Sequence, residues 1–444
     1  MLNLPETPYR YGFHLSPKMG WLNDPNGLCW FKGNYHVFYQ TNPFDNRPGN
    51  IFWGHFVSED LINWQQAPYA IVPEQDYDEN GCYSGSALVV KDRLYLMYTG
   101  HKNLESGYVE TQCIAVSDDG FNFRKLVNNP VIDAPPSDNT NRFRDPKLLF
   151  ENGKFYAVIG GESEDNTGQV NVFDSESIEA GWQFNRKLIK AKKGDGIMWE
   201  CPDLFELDGR KFLLTSPKEM MDQGINGFSS IWIESDFNEE QVVTDYQIHK
   251  IDDGRDFYAP QTFWDPINER RVMFAWFGLP GLQEQENNSQ VGALTLPREI
   301  VIRSNRLCFP PIKELTALRM EERTIDNKMT INEKSELLIR PEIENGKFKI
   351  RLNSSDCDSF MEITYVANKL VIEIKDFIRK ATVDKTIFKI NEIRLFLDRG
   401  LTEIFINEGE SVFSNKCELH GELELSFDGR LQGKVFDLKE TIYD

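Results

Sequence analysis

A strand–turn–strand pattern returns along this chain at an interval close to sixty residues, and that period limits the fold more than any other feature. Aligned on their central turns, five segments read DPNGLCWFKGNYHVFYQ, SGSALVVKDRLYLMYTG, RDPKLLFENGKFYAVIGG, CPDLFELDGRKFLLTSP and APQTFWDPINERRVMFAWFG. The turns fall at Gly33, Asp92, Gly153, Gly209 and Asn268, spaced by 59, 61, 56 and 59 residues. A second marker keeps the same period. Ser58-Glu-Asp-Leu-Ile-Asn-Trp64 returns as Ser117-Asp-Asp-Gly-Phe-Asn-Phe123 and, degenerate, as Ser175…Trp182. The runs are short, rich in aromatic and β-branched residues, and bounded by polar turns. Such units predict an all-β chain whose first part is a five-bladed β-propeller. A blade needs about 40–50 residues, so longer loops absorb the excess. The competing reading is a β-sandwich with coincidental spacing, and two independent markers in one period weigh against it.

The period stops after LPREIVIRSNRLCFPPIKEL. Beyond it, KFKIRLN, FMEITYV, KLVIEIKDF, EIRLFLD and TEIFINEG alternate apolar and polar residues, with turns at Asn345-Gly346 and Asp428-Gly429. Alternation of that kind fits antiparallel sheets with one buried face, hence a C-terminal β-sandwich. The expected division is a propeller over 1–300, a linker over 301–319 and a sandwich over 320–444.

A net charge of −21 argues against a nucleic-acid surface and against docking on anionic membranes. The opening MLNLPETPYRYGFHL has no basic start followed by an apolar run, so a cytoplasmic location is expected. Seven cysteines (29, 82, 113, 201, 308, 357 and 417) are scattered, odd in number and without CxxC spacing. Reduced thiols are the reading, with no disulfide framework and no metal site.

Three acids stand in phase with the repeat. Asp24 opens the first segment, Asp145 the third, and Glu200 immediately precedes the Cys201-Pro202 that opens the fourth. In a propeller the strand nearest the axis carries equivalent positions to one end of the central channel, so the three converge there. Clustered carboxylates repel one another, which keeps a proton available near neutrality. Glycoside hydrolysis needs that arrangement: one group ionised, another protonated. A lone Asp-Pro is more often a strand-entry turn. Two such pairs plus Glu-Cys-Pro in register shift the reading to catalysis. Trp21, Trp53, Trp199, Tyr258 and Trp276 surround the same positions, each a core residue by default. Asn23, Gln40, Ser84 and Arg144 fall at openings or ends of inner strands, and Arg144 is also a natural charge partner for Asp145.

These residues resemble the signature of glycoside hydrolase family 32, the invertase and fructanase family. Trp21-Leu-Asn-Asp-Pro-Asn-Gly27 is similar to its nucleophile motif, Arg144-Asp-Pro-Lys147 to its second motif, and Trp199-Glu-Cys-Pro-Asp-Leu-Phe205 to its acid/base motif. Phe38-Tyr-Gln40, Trp53-Gly-His55, Tyr83-Ser-Gly-Ser86 and Tyr258-Ala-Pro-Gln261 are supporting matches. In the second part, Asp398-Arg-Gly-Leu-Thr-Glu403-Ile-Phe-Ile-Asn407 resembles the family's sandwich motif, with Gly400 where Ser is usual. The resemblance implies that Asp24 attacks the fructosyl anomeric carbon, that Glu200 is the acid/base, and that Asp145 holds fructose hydroxyls. It further implies substrate contacts from Trp21, Leu22, Asn23, Gln40, Tyr83, Ser84, Arg144, Tyr258 and Trp276, and no metal or organic cofactor. Cys201 is read as a shaper of the surroundings of Glu200. Pro48 stands where family members often carry a Trp, so part of the pocket wall must come from elsewhere.

The substrate expected is a small sugar: sucrose, sucrose 6-phosphate or a short fructo-oligosaccharide, with fructosyl transfer a smaller alternative. His14, Lys18, Arg47, Arg142 and Lys147 are candidate neighbours of a phosphate, against a default of solvated surface. A non-catalytic sugar-binding propeller is the rival of another class, and retention of all three acids disfavours it. Oligomeric state is open.

Overall fold

The periodic turns become hairpins for a local reason. Lys32-Gly33, Asn152-Gly153 and Asp208-Gly209 all have positive φ at both residues, the geometry of a two-residue turn whose twist matches that of the flanking strands. The pairs Phe31–Asn34, Glu151–Lys154 and Leu207–Arg210 close directly around them. The second marker is equally physical. Asp60 Oδ1 accepts the N–H groups of Ile62 and Asn63, and Asp119 Oδ1 accepts those of Phe121 and Asn122. Ser58 and Ser117 each donate to the aspartate two residues on. The recurring Ser-x-Asp is a recurring aspartate-capped turn.

This computed structural model describes residues 11–221, 225, 227–237, 241–281, 290–342, 347–355 and 358–443. Five antiparallel sheets take up residues 20–308, and their first strands are Gly20–Phe31, Cys82–Val90, Asn139–Glu151, Asp195–Leu207 and Tyr258–Asp265. Each first strand lies against the first strand of the next sheet, and the fifth closes on the first. The first sheet gains two parallel additions, Gln290–Val291 beside Gly20–Phe31 and Ile442–Tyr443 beside Trp64–Ile71. Strands Arg298–Arg303 and Arg306–Cys308 complete the fifth sheet, so ordered sheet runs past residue 301, and a 3-10 helix at Lys313–Leu318 follows. No helix among the described residues is long and apolar enough to cross a membrane.

Two six-stranded antiparallel sheets occupy the remainder, from Arg319–Thr324 to Arg430–Leu438. Their facing sides bury Leu337, Ile350, Ile363, Ile372, Leu395 and Leu425. The Asn345-Gly346 turn and Cys357 lie outside the described residues; the other six cysteines are buried thiols. The outer face of one sheet contributes Phe396, Phe405, Val412 and Phe436 to the same apolar cluster as Phe56, Trp64 and Phe274 of the five-sheet part.

A buried ionic network crosses that junction. Asp398 accepts the N–H groups of Gly12, Phe13 and His14 at 2.7–3.0 Å and His14 Nδ1 at 2.8 Å. His14 Nε2 meets Glu403 at 3.1 Å, and Arg298 joins Glu403 to Asp252 at 2.6 and 2.8 Å. Burial opposes the His14 imidazolium, but the two carboxylates on its ring nitrogens outweigh it and raise the group to about 9. His14 is therefore a brace between the two parts, which corrects its expected place beside a phosphate.

Candidate active site

Every inner strand breaks its ladder at the same level. The pairing slips between Leu22 and Pro25, Tyr83 and Gly85, Arg144 and Lys147, Glu200 and Asp203, and Tyr258 and Gln261. Bulges of this kind re-aim side chains that a regular pleat would turn aside. Three of them carry a non-glycine residue in the left-handed region directly before proline: Asp145 (φ 65°), Cys201 (φ 48°) and Ala259 (φ 51°). Such backbone is costly and persists where the surroundings enforce it, commonly at sites of function. At Gly85 the constraint is space, because a Cβ there would stand 1.9 Å from the Met97 carbonyl oxygen.

The bulges open into one cavity of about 880 Å³. Asp24, Asp145 and Glu200 line it together, as do Trp21, Asn23, Gln40, Tyr83, Arg144, Tyr258 and Trp276. Two of the expected contacts, Leu22 and Ser84, are wholly buried and are not among the residues that line the cavity. Ser84 instead lies behind it, taking a hydrogen bond from Gln40 at 2.6 Å and donating to Asp24 Oδ2 at 2.7 Å. Trp53 and Trp199 are core residues whose indole N–H groups donate to the Tyr83 and Asp195 carbonyls. Of the proposed phosphate neighbours, Arg47 and Arg142 line the cavity and Lys18 is exposed elsewhere. Lys147 is buried, its ammonium on Asp203 and the Thr262 carbonyl.

The three acids occupy unlike surroundings. Burial raises Asp24 to about 6; the Ser84 hydrogen bond holds it down and the charge of Glu200 pushes it up. Asp145 receives the Cys201 N–H at 3.0 Å, yet burial and the charges of Glu200 and Asp24 drive it far above the carboxylate range against the pull of Arg144. Burial also opposes ionisation of Glu200, but Arg144, Lys218 and the Tyr258 hydroxyl keep it below its ordinary value in the open pocket. Arg144 reaches Glu200 Oε1 through Nε at 3.1 Å and Nη2 at 2.8 Å, and the Tyr258 hydroxyl lies 2.8 Å from Oε2. The cluster therefore retains a proton near neutrality, shared among acids whose titrations are linked. The Cys201 thiol points at both aspartates, 3.5 Å from Asp24 and 3.6 Å from Asp145, and burial pushes it well up, so it stays a weak donor between them.

Glu110, His101, Tyr108 and Lys218 also line the cavity and carry no motif in the sequence. They come from second and third strands, outside the repeat openings that marked the acids. Pro48 sits in the wall with Asn46, Arg47 and Gly49, while rings come from Trp21, Tyr83, Tyr108, Tyr258 and Trp276. Asn23 Oδ1 and Trp276 Nε1 are buried without a hydrogen-bond partner among the described residues. Buried polar atoms without partners are costly, and in a pocket they are matched by the polar groups of a ligand.

Comparison with known proteins identifies the family of this constellation. The model of the glycosyl hydrolases family 32 N-terminal domain matches residues 14–311. The chain is 36% identical to the sucrose-6-phosphate hydrolase of Bacillus subtilis, covering 92% of this chain and 88% of that one. It is 33% identical to the raffinose invertase of Escherichia coli, covering 91% and 88%. A β-fructofuranosidase of Bombyx mori, solved as a mutant in complex with sucrose, superposes with a TM-score of 0.89 at 30% identity over 98% of this chain and 95% of that one. The sucrose-6-phosphate hydrolase of Lactobacillus gasseri gives 0.87 at 27% identity, covering 98% and 94%.

Proposed function

The chain belongs to glycosyl hydrolase family 32, and from that premise we propose that it hydrolyses the terminal β-D-fructofuranosyl bond of sucrose or sucrose 6-phosphate with retention, releasing fructose. The observation that carries this reading is the meeting of Asp24, Asp145 and Glu200, from three sheets, in one cavity. Asp24, held toward ionisation by Ser84, attacks the anomeric carbon. Glu200 delivers a proton to the leaving oxygen, and the fructosyl–Asp24 ester forms as that bond breaks. Glu200, now ionised against Arg144, takes a proton from water, which cleaves the ester and frees Asp24. Asp145 holds fructose hydroxyls. The unpartnered Asn23 Oδ1 and Trp276 Nε1 supply an acceptor and a donor for others. The five sheets are read as five propeller blades around the cavity, and residues 320–444 as a separate sandwich domain, joined to it after Cys308.

The test is kcat/KM for fructose release from sucrose and sucrose 6-phosphate in one buffer. A preference of tenfold or more for the phosphorylated sugar, about 1.4 kcal/mol of transition-state binding, assigns the second substrate. Equal rates, or a preference for sucrose, assign the first. Release from neither overturns the proposal.

A further inference from the structure

Glu110 is a cavity carboxylate that the double displacement leaves unused. It lies in the strand Tyr108–Ser117, is 2% exposed, and accepts the Phe143 N–H at 2.9 Å. Both its oxygens stand 3.0 Å from Nη1 of Arg144. The other edge of the same guanidinium, Nε and Nη2, is committed to Glu200. One part-buried arginine thus joins two carboxylates. An arginine facing Glu200 alone would hold it ionised with its full charge, because little water screens the pair.

We propose that Glu110 is a positioning residue for the acid/base step: it fixes the edge that Arg144 turns to Glu200 and offsets part of the arginine's charge, so that Glu200 holds its proton to higher pH than it would beside an unopposed guanidinium. This rests on Glu200 being the acid.

The charges around the pair give the direction of the effect. The first sheet presents Asp24, the second Glu110 and His101, and the third Asp145 beside Arg144. The fourth presents Lys218, 3.5 Å from Glu200, and the Cys201 thiol, and the fifth the Tyr258 hydroxyl. Around Glu200 the carboxylates Asp24, Glu110 and Asp145 stand against Arg144 and Lys218, and Arg47 and Arg142 line the same cavity. Removing the charge of Glu110 tips that balance toward the cations, and Glu200 then loses its proton at lower pH.

The experiment is the pH profile of kcat/KM on sucrose for the wild type, Glu110→Gln and Glu110→Asp. The expected result is that Glu110→Gln moves the alkaline limb down by a unit or more, a loss of about tenfold above the limb with a smaller loss below it. Glu110→Asp keeps the charge and should leave the limb within a third of a unit or so. A limb that stays put in Glu110→Gln, or a loss equal at every pH, overturns the proposal. Should Glu110→Gln not fold, a limb shifted by a unit in Glu110→Asp overturns it equally. β-Fructosyl fluoride separates the two assignments, since its leaving group departs with little protonic help. Glu200→Gln should keep most of its kcat/KM on the fluoride while losing it on sucrose. If it loses both alike, the assignment of Glu200 fails, whatever Glu110 does.

Discussion

Ser84 donates its hydroxyl proton to Oδ2 of Asp24 at 2.7 Å while accepting the Gln40 amide, so a residue hidden from the cavity sets the charge of one that faces it. The hydrogen bond favours ionised Asp24, and its loss raises that group. Asp24 must be ionised to attack, so Ser84→Ala moves the acid limb of kcat/KM, expected near pH 6, upward by about one unit. Initial rates from pH 4.5 to 8 check this. An acid limb that moves down contradicts it.

Asp24→Asn removes the nucleophile and keeps its size. Turnover on sucrose should fall by about 10⁴-fold. Calorimetry should still register sucrose binding, since Trp21, Asn23 and Trp276 remain in the wall. A rate within tenfold of wild type would falsify the nucleophile assignment.

The junction between the two parts carries its own pH dependence. His14 binds its proton more tightly folded, at about 9, than unfolded, near 6.5. Between those values the folded chain holds more protons, so stability from this group is full below about pH 6.5 and is lost as pH rises through 9. Urea midpoints at pH 6 and pH 9 should show the fall, and His14→Gln should flatten it. A slope unchanged in the variant places the effect elsewhere.

Arg298 is wholly buried between Asp252 and Glu403. Arg298→Met leaves Asp252 without its cation and Glu403 with His14 alone, and should cost about 3–5 kcal/mol of stability. Below the melting range kcat/KM should stay within about twofold, because Arg298 is not among the cavity's lining residues. Denaturant unfolding and steady-state rates on the same preparation decide the matter.

The repeat was legible because its markers are local chemistry. Lys32-Gly33 makes its turn with its own two residues, both at positive φ, and Ser58-Glu-Asp caps its own backbone within a few residues. Asp24, Asp145 and Glu200 could be placed together since the period carried them to equivalent bulges. Contacts made across the chain left no such trace. Glu110 reads as one more strand residue, and its importance comes from Arg144, 34 positions on. His14 passed for a surface cation because its partners lie more than 380 residues away. Ser84 sat in the right motif, but alternation alone does not tell which side of a bulge faces the sugar.

The hold of Asp398 on the backbone of Gly12 has a consequence for how the molecule is made. A ribosome adding about 5–20 residues per second delivers that aspartate roughly 20–80 seconds after the glycine it anchors. Ile442–Tyr443, the strand that edges the first sheet, emerges later still. The earliest-made sheet therefore waits with an open edge until that strand has been made. Nascent chains should be vulnerable to proteases and to one another in that interval.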